Sequence, residues 1–376
     1  MPPATTAATP SRRMPELDVL RGLAIVFVVY LHAYFRPWDV TPNRHKVAMH
    51  VIHLFAHAAV PAFLFMSGLL LARERNRGLA AFASRKLLRI GLPVAIWMTA
   101  ALAYRLWRED TPARDLLADF VQFDISGQYY YVLVLITFYA ALYPFRALSA
   151  RTLGLAAIAA FAANLGTIAW YQWAIARHGL DGEFATWAYR NPLAWAAFPV
   201  AGLWAGRLAD PIALARRVAP AALAAMVVLM ALYLYRGEHD HAYPVSYFSV
   251  VTFLFSCCAI PAALAAIAAG LPRRAFAFLH PIGRLGRYAF AIYLVHMPFF
   301  VGYVTETFIS DSRVQDDYWK LMNGIFVTGF ATSFAAVWLA ARILGPAAGP
   351  LLGVEPAARP APGPIDRTNR SIGPHG

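Results

Sequence analysis

Long apolar stretches alternate with short polar segments along almost the whole chain. A helix needs about 20 consecutive apolar residues to cross the hydrocarbon core of a bilayer. The pattern therefore predicts an all-α, polytopic integral membrane protein with about ten transmembrane helices. The predicted spans are 17–36, 47–72, 86–107, 129–148, 152–175, 191–208, 218–236, 244–270, 284–309 and 319–345.

Two terminal segments, residues 1–14 and 346–376, differ from the apolar body. Both are rich in proline, glycine, alanine and threonine. Such compositions cannot bury enough apolar surface to fold, so we expect two disordered tails. The transmembrane domain is accordingly predicted over residues 15–345.

Composition supports the membrane assignment and explains the high net charge. The chain is 60% hydrophobic and only 14% charged, with a net charge of +13. Lys and Arg concentrate in alternate loops, as they do on the cytoplasmic side of membrane proteins. The charge is therefore interpreted as a topology signal that places both termini in the cytoplasm, and nucleic acid is not expected as a partner.

The first predicted span contains two ionisable residues, Arg21 and His32. Eleven residues correspond to about three helical turns, so both side chains face the same way, about 16 Å apart along the axis. Ionisable residues inside a membrane span are costly and usually functional. We therefore interpret Arg21 and His32 as catalytic candidates, with Arg21 alternatively extending to the cytoplasmic interface.

Three more histidines, His50, His53 and His57, lie near the outer end of the second span. Their spacings of three and four place them on one helical face. A neutral imidazole can accept a proton from a hydroxyl, and His57 is a candidate for contact with substrate. Histidines near an interface also commonly bind water or headgroups. No acidic ligand accompanies these three, so no metal is expected.

A basic cluster opens the third predicted span. Arg85, Lys86 and Arg89 occupy what the pattern predicts to be a helix start on the cytoplasmic side. Cationic side chains at a helix amino terminus suit a phosphate-bearing ligand. The alternative is that the cluster only sets topology.

Three further polar positions have two interpretations each. Ser67, followed by Gly68, fits either substrate contact or close helix packing. Tyr130 fits either substrate contact or an aromatic belt at the outer interface. His296 lies midway along the ninth span and is either functional or compensates for the backbone freed by Pro298.

These motifs, in this order, resemble the membrane acyltransferase 3 family. Arginine, ten residues and then histidine, at Arg21 and His32, is similar to the opening helix of the family. A departure is Lys86, where the family usually has arginine, since lysine lacks the bidentate fork. The other matching segments are VPAFLFMSG at 60–68, KLLRIGLP at 86–93, QYYYVL at 128–133 and LGRYAFAIYLVH at 285–296.

The resemblance implies an O-acyltransferase of the bacterial cytoplasmic (inner) membrane. It implies an acyl-CoA co-substrate, with acetyl-CoA the first expectation, held by Lys86 and Arg89 with Arg85 adjacent. The acceptor would be a glycan or glycolipid, and His32 would act either as a general base or as an acyl carrier.

A transporter or flippase for a glycolipid or small polar solute is the alternative from another functional class. Intramembrane histidine and arginine also suit a proton-coupled carrier. The absence of an inverted repeat and of mid-span acidic residues favours the transferase. The sequence leaves open the acceptor, the acyl length and the oligomeric state.

Overall fold

The computed structural model describes residues 14–33, 43–74, 78–179, 182–239, 247–310 and 318–355. These residues are helical almost throughout and contain no β-strand. The fold is therefore all-α, as predicted from the apolar pattern. In chain order the α-helices are α1 (Pro15–Ala33), α2 (Asn43–His57), α3 (Ala59–Arg73), α4 (Leu79–Lys86), α5 (Leu92–Arg108), α6 (Ala113–Val121), α7 (Tyr130–Leu142), α8 (Ala150–His178), α9 (Gly182–Arg190), α10 (Ala197–Arg207), α11 (Pro211–His239), α12 (Val250–Gly270), α13 (Leu279–Leu285), α14 (Ala289–Val295), α15 (Gly302–Ser310), α16 (Tyr318–Leu344) and α17 (Ala348–Leu352).

Seven helical segments in the described part of the chain are long and apolar enough to cross a membrane. Each overlaps one of the predicted spans, so the polytopic architecture is confirmed, whereas the number ten is not. The seven segments are Val47–Arg73, Leu79–Arg108, Ala150–His178, Pro211–Arg236, Val250–Gly270, Arg274–Glu306 and Trp319–Leu352.

The other three predicted spans correspond to shorter or more polar helices. Helix α10 has 11 residues, which cover only about 16 Å. Helix α7 belongs to a short apolar segment, Gly127–Leu142. Helix α1 has 19 residues and includes Glu16, Asp18 and Arg21. Arg21 is one of the two residues of α1 that the sequence singled out as costly in lipid.

Helices α3 and α10 touch through their backbones. A Cβ atom added at Gly68 would overlap the carbonyl oxygen of Pro199, and one added at Gly202 would overlap that of Phe65. Small residues allow this kind of approach between membrane helices. Gly68 therefore has the packing role that the sequence left open for the Ser67–Gly68 pair, and Ser67 is held at a fixed position beside it.

Helix α1 packs just as closely on the segment that leads into α14. A Cβ atom at Gly22 would overlap the carbonyl oxygen of Ile282, and one at Gly286 would overlap that of Asp18. These contacts fix the axial position of α1 relative to α14. They therefore determine which residues of the two helices lie opposite each other further along.

Residues 346–355 correct one expectation from the sequence, since they are not a disordered tail. They include α17, and both Leu352 and Val354 are buried. Gly353 adopts a left-handed φ of 82°, which glycine tolerates without strain. Apolar burial explains the order of this segment. The rest of the predicted tails, 1–13 and 356–376, lies outside the described residues.

The substitution Gly202→Ala tests the α3–α10 contact. The new methyl group should force the two helices apart and destabilise the protein by about 1–3 kcal/mol, the usual cost of overpacking. A lower midpoint of thermal unfolding in detergent micelles would show this. Gly166→Ala is the matched control, because a Cβ atom there meets open space. Equal midpoints for the two variants would contradict the contact.

Candidate active site

A large cavity runs along one side of α1. Its volume is about 1340 Å³, and its wall follows α1 from Met14 to Val28. Fourteen residues of helix correspond to about 21 Å. The other walls come from α3, the 85–90 segment, α7, the 286–293 segment and the carboxyl-terminal residues 341–355. The cavity therefore extends over much of the length of the first helix.

One end of the cavity is strongly basic. Seven basic and three acidic side chains line it, which gives the lining a formal charge of +4. Cationic side chains converging on one concave surface suit a ligand with several negative charges. The basic residues are Arg21, Arg73, Arg85, Lys86, Arg89, Arg287 and Arg342, and the acidic ones are Asp18, Glu74 and Glu355.

Arg21 is held by the carboxyl-terminal segment. Its Nη1 atom donates to both carboxylate oxygens of Glu355, at 2.7 Å each, and lies 3.8 Å from Asp18. The guanidinium of Arg287 donates to the main-chain carbonyl of Glu355 at 3.2 and 3.3 Å. Arg21 therefore lines the cavity with its guanidinium held by the carboxylate of Glu355.

Glu74 partly neutralises the predicted phosphate cluster. Its carboxylate lies 3.1 Å from Arg85 and 3.5 Å from Lys86. The Lys86 ammonium also lies 4.1 Å from the ring centroid of Tyr139, which is cation–π geometry. Arg89 is exposed at the cavity wall and has no hydrogen bond or ion pair with the described residues. Arg89 is thus the cation of this cluster with no internal counter-ion in that part of the chain.

The expected helix start at Lys86 is wrong. Lys86 is the last residue of α4, and a π-helical turn, Leu87–Gly91, joins α4 directly to α5. The polar run before Lys86 suggested a loop, yet its alanines and leucine favour helix. No free backbone N–H groups are therefore offered by a helix terminus here. Single π-helical turns within α-helices occur often at functional sites.

His32 and His296 lie side by side beyond the other end of the cavity. Their ring centroids are 5.1 Å apart. His32 is partly exposed near the end of α1, and His296 is fully buried at the start of a second π-helical segment, His296–Val301. The sequence singled out both residues but did not predict that they would meet.

The inner end of the cavity lies close to this histidine pair. Val28 lines the wall and lies four residues before His32, while Tyr293 lines it and lies three residues before His296. Residues three and four apart in a helix occupy one face. The cavity wall therefore ends about one helical turn from both imidazoles. Ser67 also lines the cavity.

Hydrogen bonds between main chain and side chain fix the helix that bears His296. The hydroxyl of Tyr129 donates to the carbonyl of Leu294 at 2.8 Å. The hydroxyl of Tyr293 donates in turn to the carbonyl of Gln128. This reciprocal pair clamps the start of α7 against α14. It thereby holds Tyr131, whose ring lies 5.4 Å from that of Tyr293, at the cavity wall.

Of the predicted contact residues, His296 lies beyond the end of the cavity, and two others lie away from both the cavity and the histidine pair. Tyr130 lies against Tyr189 and Trp195, with ring centroids 5.1 and 6.0 Å away. The ring centroid of His57 lies 4.3 Å from that of His53 and 4.7 Å from that of Tyr247. Neither meets His32 among the described residues. That part of the chain also contains no group of three or more His, Cys, Asp or Glu side chains arranged for a metal.

Comparison with known families identifies the class of protein to which this cavity belongs. The family model for an acyltransferase domain, acyltransferase 3, matches residues 14–342. The chain belongs to the acyltransferase 3 family. The searches of curated proteins and of solved structures found no match. The family makes the protein a multi-pass membrane acyltransferase, which decides between the transferase and the transporter that the sequence left open.

Sequence reasoning missed several residues of this acyltransferase cavity. Tyr131 and Tyr293 line it beside the residues that were predicted. Arg287 was visible as the arginine of the 285–296 motif, where it directly precedes Tyr288. Glu355 lies in the segment expected to be disordered, so no signal in the sequence indicated its contact with Arg21.

Water access to the inner part of this cavity is testable with a cysteine at position 67. In a background with Cys257 and Cys258 replaced by alanine, Ser67→Cys should react rapidly with a charged, membrane-impermeant thiol reagent in detergent. Ser256→Cys is the matched control, because Ser256 is 1% exposed and should react much more slowly. Equal labelling rates would show that the cavity is closed to water.

Proposed function

We propose that this acyltransferase moves an acyl group, acetyl in the first place, from a cytoplasmic acyl-CoA to a hydroxyl of an extracytoplasmic or lipid-linked glycan. The observation that supports the proposal is the cavity itself. It extends from a cluster of seven basic side chains to within about one helical turn of the His32–His296 pair. One end suits an anion, and the other suits proton transfer.

The basic end suits the phosphates of coenzyme A. Arg89 has no internal counter-ion among the described residues, and Arg85 and Lys86 share the single carboxylate of Glu74. A phosphate can displace that carboxylate and take up several charge-assisted hydrogen bonds. In this proposal Arg85, Lys86 and Arg89 hold the donor nucleotide from the cytoplasmic side, where positive residues are retained.

The pantetheine arm follows α1 toward His32. Arg21 and His32 lie about 16 Å apart along the helix axis, a distance that an extended arm can span. Ser67 and Tyr131 line the intervening wall and offer hydroxyl groups to the amides of the arm. The thioester thereby comes to rest beside Val28, one turn below His32.

His32 acts as a general base in the reaction that we favour. Its imidazole accepts the proton of the acceptor hydroxyl while that oxygen attacks the thioester carbonyl carbon. A C–O bond forms, the C–S bond breaks, and the departing thiolate receives the proton from His32. The acyl group ends on the glycan and CoA leaves as the free thiol, so atoms and charge balance.

An acyl-imidazole route is the alternative for the same residue. In that route His32 attacks the thioester first, and the acceptor then attacks the acylated ring. Incubation of purified protein with labelled acetyl-CoA in the absence of acceptor separates the routes. Stable label on His32 supports the covalent route, and unlabelled protein supports the base.

The acceptor enters from the side of the membrane opposite to the donor. His32 lies at the end of α1 remote from the cluster of cavity arginines. In this proposal the protein lies in a bacterial cytoplasmic membrane. The acyl-CoA pool is on one side of that membrane and the surface glycans are on the other. Mass spectrometry of surface glycans from wild-type and deletion strains identifies the acceptor and the acyl length.

Replacement of His32 by alanine should abolish acyl transfer while expression and membrane insertion persist. The assay is release of the CoA thiol from acetyl-CoA by detergent-solubilised protein, which offers no compartments for transport. Loss of the base should reduce turnover by about 10²–10⁴-fold. His178→Ala, an exposed histidine at the end of α8, is the control. Turnover near the wild-type value in His32→Ala would remove His32 from the mechanism.

Replacement of Arg89 by alanine should raise the KM for acyl-CoA more than the KM for the acceptor. A lost phosphate contact is worth about 1.5–3 kcal/mol, which corresponds to a rise of roughly ten-fold or more in donor KM. The control is Arg151→Ala, since Arg151 is exposed and lies outside the cavity lining. An unchanged donor KM would show that the cluster only sets topology.

A further inference from the structure

His296 has one ring nitrogen whose hydrogen-bonding role is fixed by the backbone. Its Nδ1 atom lies 2.8 Å from the carbonyl oxygen of Tyr293 and 3.1 Å from that of Ile292. Carbonyl oxygens only accept hydrogen bonds, so Nδ1 bears the hydrogen and donates it. In a neutral imidazole the other nitrogen, Nε2, must then present a lone pair.

That lone pair has no partner in the described part of the chain. The Nε2 atom of His296 is buried and makes no hydrogen bond there. A buried acceptor without a donor is costly, and such a cost is commonly tolerated where the atom has a function. The residue itself is 0% exposed, so solvent at the surface does not compensate for the missing donor.

His32 is the polar neighbour placed to supply a donor. Among the described rings, His296 contacts His32 at 5.1 Å and Tyr293 at 6.0 Å between centroids. The hydroxyl of Tyr293 is already engaged with the carbonyl of Gln128. Two imidazoles joined by an N–H···N hydrogen bond of about 2.9 Å have centroids about 5 Å apart. The observed separation of 5.1 Å between centroids matches that distance.

A histidine that acts as a base usually has an acceptor behind it. In acyl-transfer triads a carboxylate accepts the second ring N–H, selects the tautomer and stabilises the imidazolium that forms. Within the described residues, no Asp or Glu forms an ion pair with His32 or His296. Among the described rings, His296 is the imidazole in contact with His32, and its Nε2 atom is an acceptor without a donor.

We propose that His296 is the positioning residue for His32, accepting a hydrogen bond from the ring N–H of His32 through its Nε2 lone pair. This inference rests on the proposed function, in which His32 takes the proton of the acceptor hydroxyl. His296 keeps its own Nδ1 hydrogen on the carbonyls of Ile292 and Tyr293 throughout. It gains no proton, so the proton passes from the acceptor to His32 and then to the departing thiolate as before.

The π-helical segment explains how a buried ring is offered to a neighbouring helix. His296 is the first residue of the π-helical segment, which also contains Pro298. Proline lacks an N–H and releases a carbonyl of the preceding turn. In the preceding turn, the carbonyl oxygen of Tyr293 lies 2.8 Å from Nδ1. The backbone of this turn thus fixes the tautomer and leaves Nε2 available.

Two substitutions of His296 test this role. The amide oxygen of His296→Gln occupies roughly the position of Nε2 and accepts a hydrogen bond, whereas His296→Phe retains the ring volume and accepts none. We expect His296→Phe to lower kcat by about 30–100-fold with an unchanged donor KM. We expect His296→Gln to recover most of kcat, to within about five-fold of wild type. Thermal unfolding midpoints are measured for both variants in detergent.

The outcomes separate this inference from the function on which it rests. Partial rescue by glutamine together with an unchanged donor KM supports the positioning role. Equal activity of the glutamine and phenylalanine variants, whether high or low, overturns it, as does a fall in the unfolding midpoint that accounts for the whole loss. His32→Ala is assayed alongside: if that variant keeps turnover, the proposed function fails, and if it alone loses turnover, only the role of His296 fails.

Discussion

The close contact between α1 and the segment leading into α14 is the constraint on which the rest of the site depends. Gly22 and Gly286 allow the two backbones to touch near the basic end of the cavity. Two helices fixed at one level remain in register over the following turns, because each rises about 1.5 Å per residue. His32 and His296 consequently meet at the far end. Bulkier residues at the crossing would disturb both ends of the cavity together.

Much of this arrangement was readable in the sequence because a membrane penalises polar residues. Arg21 and His32 were visible for that reason, and their helical spacing predicted a shared face. Apolar length predicted an all-α polytopic fold, which the structure confirms. The span count was less secure, since α10 is apolar yet only 11 residues long, and hydropathy alone does not distinguish a short helix from a complete span.

Other features depend on contacts between distant parts of the chain. The pairing of Arg21 with Glu355 joins residues 334 positions apart, and the composition of the carboxyl-terminal segment suggested disorder. Tyr130 and Tyr131 are neighbours, but only helix rotation decides that Tyr131 faces the cavity. The continuous helix through Lys86 was hidden by a π-helical turn, which has no simple signature in the amino-acid pattern.

The internal carboxylates of the basic cavity limit how tightly any polyanion is retained. Glu355 forms an ion pair with Arg21, and Glu74 forms ion pairs with Arg85 and Lys86. An entering anion must break these ion pairs, and the carboxylates compete for the same cations when it departs. Seven uncompensated positive charges would hold the proposed polyanionic donor for a long time after its reaction. In that proposal the two glutamates would favour rapid exchange and a short residence time.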